Sequence, residues 1–134
     1  MADKLKLEVV TPERSVLSQD VDEVVMPSVE GYFGVLPGHA PLLAQLDVGE
    51  VSYRVGNDRK FLAISGGYAE VLRTGVSVLA RTAERADEID VDRAKKAKDR
   101  AEARLKENLE PNDLERAEVK LKRAMSRISV HGRS

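Results

Sequence analysis

The distribution of turn-forming residues divides this chain near residue 85, and that division limits the folds open to it. Eight of the nine glycines lie at or before Gly75, and four of the five prolines at or before Pro41. All five aromatic residues, Tyr32, Phe33, Tyr53, Phe61 and Tyr68, also fall in the first part. Beyond residue 85 the chain is rich in Ala, Lys, Arg and Glu. Those are strong helix formers, whereas aromatics and closely spaced turn residues belong to short strands. The expected organisation is a strand-built unit at 1–85 and a helical unit at 86–134.

Within the first unit, residues 4–9 alternate polar and apolar with period two, and so do Val51, Tyr53 and Val55. Gly56, Asn57 and Asp58 supply a turn before the apolar return at 61–64, which is a hairpin signal. Residues 76–80 form another strand after the turn at Thr74 and Gly75. Asp20, Asp22 and Glu23 read as a solvated turn leading into an apolar strand. Many short strands with no helix-length pattern between them predict an antiparallel β-sandwich rather than a βαβ parallel sheet.

In the second unit Asp90 suits an N-cap, with Asp92 in the first turn. Val91, Ala94, Ala97, Ala101 and Leu105 recur at helical spacing, as do Leu114, Ala117, Leu121, Ala124 and Ile128. Residues 108–113 interrupt the pattern, and Pro111 fits the first turn of a new helix. The fold class is therefore α+β, an N-terminal antiparallel β-sandwich followed by a C-terminal antiparallel two-helix hairpin. The first helix is expected at about 90–108. Its seam is mostly alanine, and a methyl buries little area at about 25 cal/mol per Å². The pattern fits a hairpin that opens and one that stays closed equally well.

Several function classes lose support at this level. The 22 basic and 23 acidic residues nearly balance, which argues against a nucleic-acid binder held by phosphate contacts. Cysteine is absent, so disulfides and thiolate chemistry are excluded, and two histidines alone cannot build a zinc site. No apolar run approaches the roughly 20 residues needed to cross a bilayer. Residues 1–6 lack the apolar centre of a secretory signal. No Walker-type phosphate loop or nucleophile elbow is present, and no constellation meets the geometric requirements of catalysis. A non-enzymatic protein needing no metal is expected. His39, flanked by Pro37, Gly38 and Pro41, reads as a structural or interfacial residue in a rigid turn.

Charge is distributed unevenly. From residue 114 to 134 there are six basic residues and two acidic ones, whereas residues 1–81 carry 8 basic and 11 acidic. A basic helix of this kind is either a solvated face or a surface for an acidic partner or anionic ligand. It lacks Trp and Phe anchors, which speaks against a membrane-surface role.

Two segments carry a resemblance. Leu36, Pro37, Gly38, His39, Ala40, Pro41 and Leu42, followed by Ser65, Gly66, Gly67, Tyr68, Ala69, Glu70 and Val71, are similar to signature segments of ATP synthase epsilon subunits. Residues 83–86, 89–94 and 122–125 extend the match through the second unit. The resemblance implies a sandwich that grips the gamma subunit and the ring of membrane c subunits. It also implies a helical hairpin that either folds on the sandwich or extends along gamma and inhibits ATP hydrolysis. In the extended form the basic helix would meet an acidic segment of beta in the alpha/beta hexamer. The implied location is the cytoplasmic face of the bacterial cell membrane, peripheral to it through the complex.

Several bacterial members of that family bind ATP in the folded hairpin through an Ile/Leu-Asp-x-x-Arg-Ala motif, matched here by Ile89, Asp90, Arg93 and Ala94. Further matching positions are Glu84, Arg100, Arg123 and Arg127. The resemblance thus implies ATP as a regulatory ligand. Asp90 would accept from the adenine amino group, Ile89 and Ala94 would cover the base, and the arginines would meet phosphates. From spacing alone, Asp90 is an N-cap and Arg93 a surface ion-pair partner. At residues 30–34, read as a loop, some members carry an acid where this chain has Tyr32. The ring contact here would then be apolar, be made by Glu30, or be absent. The expected partner interface is Glu30, Tyr32 and His39. A rival reading is a free-standing ATP-sensing protein, which would bind ATP without a stable complex with gamma.

Overall fold

The structure is a computed structural model that describes residues 3–133; Met1 and Ser134, the outer limits of the two expected units, lie outside the described residues. Eight strands precede two helices. The strands are β1 (Leu5–Val10), β2 (Ser15–Val21), β3 (Glu23–Ser28), β4 (Gly31–Val35), β5 (Leu42–Val55), β6 (Asp58–Val71), β7 (Gly75–Ala80) and β8 (Ala83–Arg85). A 3-10 turn at Ala86–Glu88 leads into α1 (Val91–Leu105) and α2 (Pro111–Gly132).

The strands run in the order β2-β1-β7-β6-β5-β3-β4, with β8 pairing β6. The long β5–β6 hairpin carries different neighbours at its two ends. At one end β6 pairs β7, and at the other it pairs β8. The continuous sheet thereby folds over as a sandwich, with its core between the layers. Leu5, Leu7 and Val9 enter that core from β1, Val24 and Met26 from β3, and Leu62 and Ile64 from β6. The period-two alternation in β1 has its cause here, since Lys6 and Glu8 face solvent while their neighbours are buried.

Pairing is antiparallel apart from β1 and β7, which run parallel. Alternation reports which face a strand buries but not which strand lies beside it, so this pair is not readable from pattern. The turn at 56–57 closes the β5–β6 hairpin with Gly56 at φ +62°. Asp22 accepts from Lys4 and from the Gly56 backbone N–H, and Glu23 accepts from Arg59. These acids therefore pin strands together, where the sequence predicted a solvated turn.

The stretch 30–34, expected as a loop, is mostly strand β4. The Ser28 hydroxyl donates to the Gly31 carbonyl at 2.6 Å and accepts from the Glu30 N–H at 3.1 Å, which tightens the β3–β4 turn enough for residues 31–35 to pair back on β3.

Both helices begin where capping chemistry places them. Asp90 Oδ1 accepts the Arg93 N–H at 3.1 Å, and Pro111 occupies the first turn of α2. α1 stops at Leu105, short of the expected 108. There the N–H groups of Lys106 and Glu107 turn back to the carbonyls of Ala103 and Arg104 at 3.2 and 3.0 Å. The seam buries Ala94 and Ala101 against Ala117 and Ala124. α2 lies between α1 and the sandwich, touching β5, β6 and the 3-10 turn.

Candidate functional site

The alanine seam leaves a groove between the helices, because methyl groups set the floor and long cationic side chains rise on both sides. The groove has a volume of about 520 Å³. Its floor is Ala97, Ala101, Ala117 and Ala124, and its walls are Arg100 and Arg104 from α1 with Arg116, Lys120, Arg123 and Arg127 from α2. Asp113 is the one acid lining it. Arg100–Arg104, Arg116–Lys120 and Arg123–Arg127 are like-charge pairs at i,i+4, which destabilise a helix by a few tenths of a kcal/mol each. Local acids relieve part of this. Arg104 pairs Glu107 at 2.8 Å, Arg116 lies 3.9 Å from Asp113, and Arg127 pairs Glu84 at 2.6 Å. Arg100, Lys120 and Arg123 have no acidic partner among the described residues. The arrangement suits a polyanion.

The structure brings together three of the eight expected ligand-site residues, Arg100, Arg123 and Arg127, on this groove. Glu84 reaches its edge through Arg127 and lines a small adjoining cleft with Arg123 and Arg127. Ile89 is buried with Ala63 and Val130, in a small cluster where the 3-10 turn meets α2. Ala94 is buried in the seam. Asp90 and Arg93 stand exposed at the start of α1, outside the groove lining, with Asp90 acting as the N-cap. Arg104, Arg116 and Lys120 were missed by motif reading, although their spacing along each helix could have placed them beside Arg100, Arg123 and Arg127.

A second feature lies on the sandwich beside the β3–β4 turn. Glu30, Tyr32 and His39 line one cleft of about 580 Å³ together with Phe33, Leu42 and Leu43. Tyr32 is 61% exposed, and its hydroxyl accepts the Glu50 N–H at 3.1 Å. His39 is half-buried, with Nδ1 2.7 Å from the Ala40 carbonyl. Outward-facing Leu43 (72% exposed), Tyr68 and Leu79 continue apolar surface from this cleft across β5, β6 and β7. Sequence reading missed that strip, because an apolar residue on the outer face of a strand looks the same in pattern as one on the inner face.

α2 is fixed to the sandwich by polar contacts that run along it. Lys122 pairs Asp47 at 2.7 Å, and the Ser126 hydroxyl donates to the Gly49 carbonyl at 2.9 Å. Arg127 pairs Glu84. Arg133 pairs Glu50 at 3.1 Å and stacks over the Phe61 ring at 4.7 Å. The hydrogen bond from Lys122 holds the Asp47 carboxyl below its ordinary range. At the start of the helical part, Arg14 pairs Glu88 at 2.8 Å and likewise lowers the Glu88 carboxyl. Among the described residues no cluster of His, Asp and Glu could hold a metal ion, and no helix is long and apolar enough to cross a membrane.

Comparison with known proteins gives a consistent result. Residues 4–86 match the family model of the ATP synthase delta/epsilon chain β-sandwich domain, and residues 87–132 match that of its long α-helix domain. The ATP synthase epsilon chain of Syntrophobacter fumaroxidans is 55% identical over 97% of this chain and 97% of its own length. The ATP synthase epsilon chain 2 of Syntrophotalea carbinolica is 56% identical over 99% of this chain and 97% of its own. A chain in the Euglena gracilis mitochondrial ATP synthase superposes with a TM-score of 0.81 at 24% identity, covering 94% of this chain and 80% of that one. That last likeness speaks to the fold alone. Such relatives are non-catalytic subunits of a rotary complex, and full-length identity above one half with both family models places the chain among them: it belongs to the ATP synthase delta/epsilon family, on the epsilon-chain side.

Proposed function

We propose that the chain works in the central rotor of a bacterial ATP synthase, coupling rotation to ATP synthesis and restraining ATP hydrolysis through its helices. ATP is the regulatory ligand in this reading. It bridges α1 and α2, holds the hairpin against the sandwich, and on leaving frees α2 to reach an acidic segment of beta in the alpha/beta hexamer. The observation that carries the reading is the groove of six cationic side chains from two helices over an alanine floor. Phosphate groups would relieve the like-charge repulsion across it, and a ligand at 100 times its Kd stabilises the bound form by about 2.7 kcal/mol. Arg100, Arg123 and Arg127 take the phosphates. Asp90, Arg93, Ile89 and Ala94 bind the base end after local adjustment, and Glu84 sets the position of Arg127.

The cleft of Glu30, Tyr32 and His39, with the apolar strip beyond it, is the proposed surface for gamma and the ring of c subunits. With Tyr32 in place of an acid, that contact is apolar in character. Attachment to the membrane is peripheral, at the cytoplasmic face and through the complex.

The test is titration of the isolated chain with ATP while amide shifts are followed at Asp90, Arg93 and Arg123. Saturable shifts at all three, lost in Arg100→Ala/Arg123→Ala, support the site. Flat titration in the wild type contradicts it. For the coupling surface, Tyr32→Asp with His39→Asp should weaken assembly with gamma or the ring and leave the isolated fold intact. Undiminished assembly contradicts that assignment.

A further inference from the structure

The β3–β5 ladder has a gap, and what fills it joins the two functional regions of the molecule. β3 pairs β5 at Val25–Ser52 and again at Ser28–Leu46, with an irregularity between. Pro27 falls in that gap and has no N–H to donate. Opposite it, residues 47–50 find other partners. The Val48 N–H is satisfied by Asp47 Oδ1 at 2.7 Å. The Glu50 N–H donates to the Tyr32 hydroxyl, which reaches across from β4 at 3.1 Å. Gly49 makes this approach possible, since a Cβ there would lie 2.7 Å from Tyr32 Oη and 2.8 Å from Pro27 Cβ.

Three of the same four residues hold α2 and the residue that caps it. Lys122 binds the Asp47 carboxylate, Ser126 donates to the Gly49 carbonyl, and Arg133 binds the Glu50 carboxylate. Toward β3 this short segment lacks ladder bonds, while it pairs β6 through Val48–Ser65, Gly49–Ile64 and Glu50–Ala63; Tyr32, Lys122 and Ser126 meet over it in one cleft. Both the phenol and the helix contacts act on its backbone, on the side that β3 leaves unpaired.

We propose that residues 47–50 couple the Tyr32 cleft to the docking of α2, with Tyr32 as a positioning residue. While the hydroxyl holds the Glu50 N–H, the Gly49 carbonyl and the Glu50 carboxylate stay aligned with Ser126 and Arg133. A partner that packs into the cleft and draws Tyr32 off Glu50 loosens that alignment and favours release of α2. By reciprocity, an undocked α2 changes the affinity of the cleft for that partner by the same factor. The inference rests on the reading above in that a partner occupies the Tyr32 cleft and α2 leaves the sandwich; it does not require ATP.

Amide hydrogen exchange on the full chain without nucleotide tests it. Tyr32→Phe removes one oxygen and keeps the ring. It should speed exchange in α2 beyond residue 122 about three- to tenfold, the effect of one hydrogen bond, while β1 and β7 amides stay as in the wild type. Ser126→Ala should do the same, and the double variant should fall short of the sum of the two effects. Faster exchange confined to Glu50 and the β3–β4 hairpin, or strictly additive effects, overturns the coupling. If wild-type α2 exchanges only as slowly as the β1 and β7 core, it is the release of α2 that fails. If ATP leaves α1 and α2 exchange unchanged while Tyr32→Phe speeds it, the ATP site fails and the coupling stands.

Discussion

Arg127 donates from Nε to the Glu84 carboxylate at 2.6 Å, so the last strand of the sandwich and the second helix share an ion pair at the edge of the cationic groove. Both side chains keep partial solvent access, and such a pair contributes no more than about 1 kcal/mol to stability. Its larger effect is orientation, because it points one arm of the guanidinium fork at Glu84 and leaves the others for an anion. Arg127→Ala should weaken ATP binding about tenfold or more, as expected for one charged hydrogen bond, with little change in the urea midpoint. Arg127→Lys keeps the charge without the fork and should fall between. Equal affinity in all three proteins would remove Arg127 from the site.

Acidification should loosen the helices before the strands. The folded-state carboxyls of Asp47 and Glu88 are lowered by hydrogen bonds from Lys122 and Arg14 respectively. A lowered carboxyl stabilises the fold fully above its unfolded value, about 3.9 for Asp and 4.3 for Glu, and loses that contribution as pH falls through the folded value. The loss therefore lies below about pH 4. Lys122–Asp47 ties α2 to β5, and Arg14–Glu88 ties the turn before α1 to the sandwich. Amide protection in α2, corrected for the intrinsic exchange rate, should fall below about pH 4 ahead of β1 and β7, and Asp47→Asn should flatten part of that fall. Identical profiles for α2 and the core would count against these ties.

Gly67→Ala should cost at least about 2 kcal/mol through combined backbone strain and overpacking. Gly67 has φ +131°, and a Cβ there would lie 2.0 Å from the Leu79 carbonyl oxygen, where β6 crosses β7. Gly38→Ala meets no atom within 4 Å and carries only the strain of φ +85°. The difference in urea midpoint between the two variants separates crowding from backbone strain. Equal losses would show that crowding at Gly67 is absent.

The order of strands followed by two helices was legible because glycine, proline and aromatic residues act locally. The turn at Gly56, the cap at Asp90 and the placement of Pro111 are of the same kind. Strand β4 escaped because its turn depends on the Ser28 hydroxyl bonding the backbone of Glu30 and Gly31, a contact that alternation does not encode. The parallel β1–β7 pair and the ties from Lys122 and Ser126 to residues 47 and 49 span most of the chain, and nothing local announces them. In the groove, motif reading picked Arg100, Arg123 and Arg127; helical spacing sets Arg104, Arg116 and Lys120 on the same faces, but only the two helices together show that those faces meet in one groove.

In the proposed reading, ATP holds the helical hairpin closed on the sandwich. The chain has no cysteine, so two introduced thiols can be labelled cleanly. Asn57 lies at the tip of the β5–β6 hairpin and lines the same cleft as Arg133, and a side chain at Gly132 meets no atom within 4 Å. Labels on Asn57→Cys and Gly132→Cys therefore start close together in the closed form. The distance between them should be measured with and without ATP, in that background and with Arg100→Ala/Arg123→Ala added. ATP should shift the population toward the short distance in the first protein and have no effect in the second. An unchanged distance distribution in the first protein, or the same ATP response in both, would contradict that reading.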